Sequence, residues 1–185
     1  MSNYFIKYKP FLSFLGKFLL TYLILTIVYR FYLSRFDSAA FEVDDFTKSV
    51  AEQTKRLMLI FNADARTEPH PLEACIKLFY NGRFVARIIE GCNALSVIVL
   101  FISFVIAFTG RLKHTFLFII FGSILIHILN VARIAILAVL LHRFPEYEHF
   151  LHGTVFPLFI YSVVFVLWVV WVNKYSLYAG KAVQK

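Results

Sequence analysis

The sequence predicts an all-α integral membrane protein of about four transmembrane helices, with a small extracytoplasmic helix and hairpin between the first two. Three observations lead there. Of the 185 residues, 60% are hydrophobic and only 16% charged, and mean hydropathy is +0.73. A soluble domain averages roughly 45–50% apolar and about 25% charged, and one of this size has too little interior to hide the excess. Four stretches are apolar over about the 20 residues that a bilayer crossing needs. Finally, the charges segregate between loops. The composition excludes a disordered chain, a collagen and a nucleic-acid arm. Two cysteines argue against a disulfide scaffold, a thiolate zinc site and an iron–sulfur cluster.

The chain reads as one membrane domain, 1–185, with spans at about 11–33, 92–109, 115–141 and 153–172. The first carries Lys17 and Arg30 near its ends, where long stems reach the interfaces. Ser38-Ala39-Ala40 resembles a weak cleavage site, but the apolar stretch exceeds a signal peptide's h-region, so an uncleaved anchor is expected. Trp168 and Trp171 mark the outgoing interface of the last span.

Between the first two spans lies an insertion, 34–90. Apolar positions at Val43, Phe46, Val50, Leu57 and Phe61 have loosely helical spacing, with Asp44, Asp45, Lys48 and Glu52 solvated. Residues 62–71 read as a turn or loop broken by Pro69 and Pro71. Residues 74–79 and 84–89 read as short strands around a tight Asn81-Gly82 turn.

Four spans put both termini on one side. Lys7, Lys9, Lys17, Arg111, Lys113, Lys174, Lys181 and Lys185 then share a face that has no acid. By the positive-inside rule that face is cytoplasmic. The net charge of +8 therefore reflects topology and contact with the lipid bilayer, with no nucleic-acid partner.

Arg133 is the residue composition explains least. A charge at a helix centre costs about 2.5–3.5 kcal/mol on insertion scales, and arginine does not escape it by losing its proton. Snorkelling past Leu141 would need about 12 Å of reach, which favours a functional role. Asn130 lies one turn earlier on nearly the same face, and His127 flanks it, though a lone helix histidine is more often a packing residue.

Cys92 follows Gly91 at the outer mouth of the second span, in the expected first turn of a helix, where the dipole favours a thiolate. Inert packing, or a bridge to Cys75, are the alternatives. The loop before the last span holds His142, His149 and His152. A metal site with Glu148 is conceivable, but no ligand spacing supports one, and no metal or organic cofactor is expected. A general acid/base is the sharper reading. Cys92, Arg133 and a loop histidine thus fall at one membrane depth on independently drawn helices.

With these residues in order, the sequence resembles the exosortase/archaeosortase family of membrane cysteine transpeptidases, and is most similar to the short exosortase F type. Glu90-Gly91-Cys92-Asn93-Ala94-Leu95 resembles the family's Cys box, although Asn93-Ala94 stands where Ser-Gly is frequent. Asn130-Val131-Ala132-Arg133-Ile134 resembles its Asn-x-x-Arg box, and the run from Glu148-His149 through Gly153 to Phe156 its acidic-His-x-x-x-Gly-x-x-Phe box. The boxes occupy roughly the C-terminal half. The resemblance implies catalytic Cys92, Arg133 and His149, with Gly91, Asn93, Asn130 and Gly153 supporting them. It implies substrates that are membrane-anchored proteins with a C-terminal sorting signal. The setting would be a bacterial inner membrane, with the active site facing the periplasm. Two other classes remain: a thiol redox protein using Cys75 and Cys92, and a noncatalytic assembly subunit in which Arg133 is an ion-pair partner.

Overall fold

The computed structural model describes residues 2–37, 40–108 and 110–176. Ser38 and Ala39 of the cleavage-like site, Thr109, and the tail lysines Lys181 and Lys185 lie outside the described residues. The chain is mostly helical, with a small three-stranded antiparallel sheet. Three helical stretches are long and apolar enough to cross a membrane: residues Tyr8–Leu33 of α1 (Ser2–Leu33), α4 (Leu112–Arg143), and Pro145–Tyr175, which contains α6 (Phe156–Val170). The outward face of α1 exposes Leu19, Leu20, Leu23, Ile24, Ile27, Val28 and Phe31. Such a surface is unfavourable in water and suited to lipid.

The expected second span is shorter than drawn. α3 (Leu95–Ala107) has 13 residues, about 20 Å at 1.5 Å per residue. Asn93 and Ala94 cause the shortening. The Asn93 side-chain oxygen accepts the Leu95 N–H at 2.9 Å, and Ala94 adopts a left-handed φ of 66°, so the helix starts only beyond them. Cys92 consequently belongs to a 3-10 turn, Glu90–Cys92, and not to the first turn of the helix. The dipole argument for its thiolate loses its geometric basis.

α2 (Asp45–Ile60) confirms the amphipathic expectation, burying Thr47, Val50, Ala51, Thr54 and Met58 along one face. Two details differ. Asp44 is buried as the N-cap, its Oδ1 accepting the Thr47 N–H at 2.9 Å, so it is not solvated. Phe61 is exposed just past the helix end.

The hairpin forms from β2 (Ile76–Tyr80) and β3 (Arg83–Ile88). Asn81 and Gly82 both have positive φ, 49° and 71°, as a two-residue turn of the right twist requires. The structure adds a strand where a loop was expected: β1 (Ala65–Pro69) pairs antiparallel with β2, Ala65 opposite Tyr80 and Pro69 opposite Ile76. Proline is tolerated because β1 is an edge strand and Pro69 is its last residue.

Two clusters make the main core. One joins α2, the sheet and the second half of α4 through Val50, Met58, Leu78, Ile88, Ile134 and Ala138, and Cys92 belongs to it. The other joins α3, α4 and α6 through Phe101, Val105, Ile126, Val164 and Trp171. Phe14 packs α1 onto α3, its ring 4.5 Å from Phe108 and 5.8 Å from Phe104.

Candidate functional site

Cys92 is buried where the sheet layer meets the membrane helices. Its turn is closed by its own N–H donating to the Ile89 carbonyl at 2.9 Å. α4 presents two polar side chains to it, one turn apart. The Asn130 amide donates to the Cys92 carbonyl oxygen at 2.8 Å, in a position only 1% exposed. The Arg133 guanidinium lies within hydrogen-bonding reach of the Cys92 thiol, and its charge acts on that thiol. Arg133 Nε is buried without a partner. Asn130 and Arg133 thus lie on a face of α4 turned towards Cys92.

The turn is held from the other side as well. Asn93 Nδ2 donates to Thr47 Oγ1 of α2 at 3.0 Å and reaches the Tyr29 hydroxyl of α1 at 3.5 Å. The Tyr29 hydroxyl donates to the Glu90 carboxylate. Asn93 is fully buried, so each unmet hydrogen bond there would be costly. Thus α1, α2 and α4 all grip the five residues around Cys92. Thr47 and Tyr29 escaped the sequence reading because nothing in their own local pattern marks them.

His127 is a packing residue. Its Nε2 donates to Gln53 Oε1 at 2.7 Å and its ring lies 5.5 Å from that of Phe46. His142 packs edge-on against Tyr80, with ring centroids 4.9 Å apart. His149 is exposed on α5 (Glu148–Phe150), and among the described residues no hydrogen bond joins it to Cys92 or Arg133. Gly153 is exposed in the π-helical segment Leu151–Val155 that leads into α6, with open space around it. Gly91 is exposed beside Cys92.

Cys75 and Cys92 are both free and buried, so the bridge considered from sequence does not form. Burial and the Glu73 carboxylate push the Cys75 thiol above its ordinary range. Arg87, donating to Glu73 at 2.8 Å, holds that carboxyl below its ordinary range. Among the described residues, metal-ligating side chains converge at His70, Glu73 and Cys75, and His70 shares a cleft with Pro145 and Glu148 of the histidine loop.

Chemically, the Cys92 site combines a nucleophile with a fixed cation that can stabilise negative charge on sulfur or on an attacked carbonyl. Comparison with family models, with curated proteins and with solved structures finds no match.

Proposed function

We propose that this protein is a membrane-embedded cysteine transpeptidase of the exosortase/archaeosortase kind, acting on the C-terminal sorting tails of exported proteins. The observation that carries the reading is the convergence of Arg133 and Asn130 on Cys92, one on the thiol and one on the carbonyl. A cation brought to a buried thiol by a membrane helix is expensive. It has no packing purpose that an apolar residue would not serve better.

In the proposed reaction His149 takes the thiol proton, and Cys92 sulfur attacks the peptide carbonyl carbon beside the sorting helix. The carbonyl π electrons move to oxygen, and Arg133 stabilises that oxyanion. Collapse breaks the C–N bond, and His149 returns the proton to the leaving amine. An amine or a water then attacks the thioester, with His149 as base, and releases the thiol. His149 is exposed on a one-turn helix, so this scheme requires it to close on Cys92 when the tail docks. A tail anchored in the same bilayer meets the site at high effective concentration.

The same proposal includes α3 as a fourth span, short of the usual length, with both termini cytoplasmic and the site at the periplasmic face. The acid-free set of basic residues motivates this orientation.

The test is processing of a membrane-anchored protein with a sorting tail by wild type, Cys92→Ala and Cys75→Ser. Wild type and Cys75→Ser should process it, and Cys92→Ala should accumulate intact, folded and inactive. Equal processing by Cys92→Ala overturns the reading. Loss in both cysteine variants, with a disulfide detected by mass, would establish the redox alternative instead.

A further inference from the structure

The loop between β1 and β2 brings together a nitrogen, an oxygen and a sulfur ligand that the reaction above does not use. One ligand atom each from His70, Glu73 and Cys75 lies within 4.8 Å of the other two. The loop backbone is organised around them. The His70 N–H donates to the Cys75 carbonyl at 2.9 Å, and the Cys75 N–H to the Glu73 carbonyl at 2.7 Å. Pro69 and Pro71 restrict the backbone on both sides of His70. Glu73 Oε2 accepts from Arg87, and the Cys75 thiol points at the same oxygen, 3.8 Å away. Cys75 itself is 1% exposed. A pinned loop holding three ligand types at near-coordination spacing is a preorganised site.

We propose that His70, Glu73 and Cys75 bind a divalent transition metal of the zinc class outside the membrane spans. The donor set selects the ion. Thiolate and imidazole suit zinc and its neighbours, whereas calcium and magnesium require oxygen ligands throughout. Binding is a ligand exchange without redox change. The Cys75 S–H bond breaks, its proton passes to water, and a sulfur–metal bond forms. Three protein ligands leave a fourth position for water. Glu73 keeps Arg87 as an outer partner, the kind of carboxylate support that orients a ligand. This mixed site with a single thiolate departs from the sequence expectation of no metal, which rested on the absence of paired cysteines. It ties β1 to β2 and so braces the sheet that packs against α4.

The experiment uses the full chain in detergent, stripped with chelator and titrated with Co²⁺ alone, followed by the sulfur-to-cobalt charge-transfer absorption. Wild type should bind one ion per chain with that absorption, and Zn²⁺ should displace it. Cys92→Ser should retain the signal. Cys75→Ser should lose it, and His70→Gln should weaken binding by about tenfold or more while remaining monodisperse. The His70→Gln result decides the matter if Cys75→Ser does not fold. No charge-transfer absorption in wild type, its survival in Cys75→Ser, unchanged binding in His70→Gln, or its loss in Cys92→Ser would each overturn the site.

Discussion

Asn130 of α4 donates its side-chain amide to the backbone carbonyl of Cys92 at 2.8 Å, across 38 residues of chain. This bond ties the turn before α3 to the membrane helix that also carries Arg133. Removing it leaves a buried carbonyl without a partner. Asn130→Ala should therefore cost about 1–3 kcal/mol and loosen the Cys92 turn. The melting temperature in detergent should fall, and Cys92 should become easier to alkylate. An unchanged melting temperature with unchanged labelling would mean the bond does not hold the turn.

Arg133→Lys keeps the charge but not the planar fork of donors. Processing of a tail substrate should drop by at least about 100-fold, the scale seen when one donor to an oxyanion is removed. Protein abundance should stay near wild type, because lysine keeps the charge and a similar apolar stem. Full turnover would reassign Arg133 to structure, whereas loss of abundance without loss of specific activity would favour the assembly-subunit class.

Ala94 occupies the left-handed region at φ 66° while 7% exposed. Its backbone costs roughly 1–2 kcal/mol relative to glycine, and its buried methyl returns about 0.8 kcal/mol. The two nearly cancel, so Ala94→Gly should leave the melting temperature unchanged or slightly higher. Ala94→Val adds a branched side chain in that region and should cost about 1–3 kcal/mol. Equal stability of the alanine and valine forms would show that the turn before α3 relaxes freely.

Gly122 is where α4 meets α3: an added Cβ would stand 2.3 Å from the Phe101 ring, which is fully buried. Small residues allow membrane helices this closeness. Gly122→Ala should destabilise by about 1–3 kcal/mol, and Phe101→Leu in the same chain should recover part of the loss. A melting temperature equal to wild type for Gly122→Ala would indicate that the two helices separate without cost.

Burial, and then the carboxylate of Glu73, push the Cys75 thiol up. A thiol with a raised pKa stays protonated to higher pH, and only the thiolate is alkylated. In chelator-treated protein, iodoacetamide labelling of Cys75 should thus rise only above the ordinary thiol range. Glu73→Gln removes the negative charge and should move that rise to lower pH. A rise that ignores Glu73→Gln would assign the whole effect to burial.

Much of this architecture is written locally. α1, α4 and the stretch containing α6 announce themselves because about twenty predominantly apolar residues are best accommodated in a bilayer. The Asn81-Gly82 turn is legible because two adjacent residues must take positive φ. The helix α2 and its buried Val50 follow from the apolar spacing, whereas Thr54 and Met58, one and two turns on, join the buried face through packing. β1 escaped because Arg66, Thr67 and Glu68 carry no strand pattern of their own. That strand exists only because β2 offers an open edge. The start of α3 escaped for a related reason: Asn93 satisfies its amide on Thr47 and Tyr29 from two other helices. Chemistry-bearing residues such as Cys92 and Arg133 could be singled out as unusual for a membrane chain. Their pairing arises from tertiary structure, because side chains distant in sequence meet only when packing closes the loops between them, whereas His70, Glu73 and Cys75 are near in sequence and gather because the pairing of β1 with β2 closes their loop.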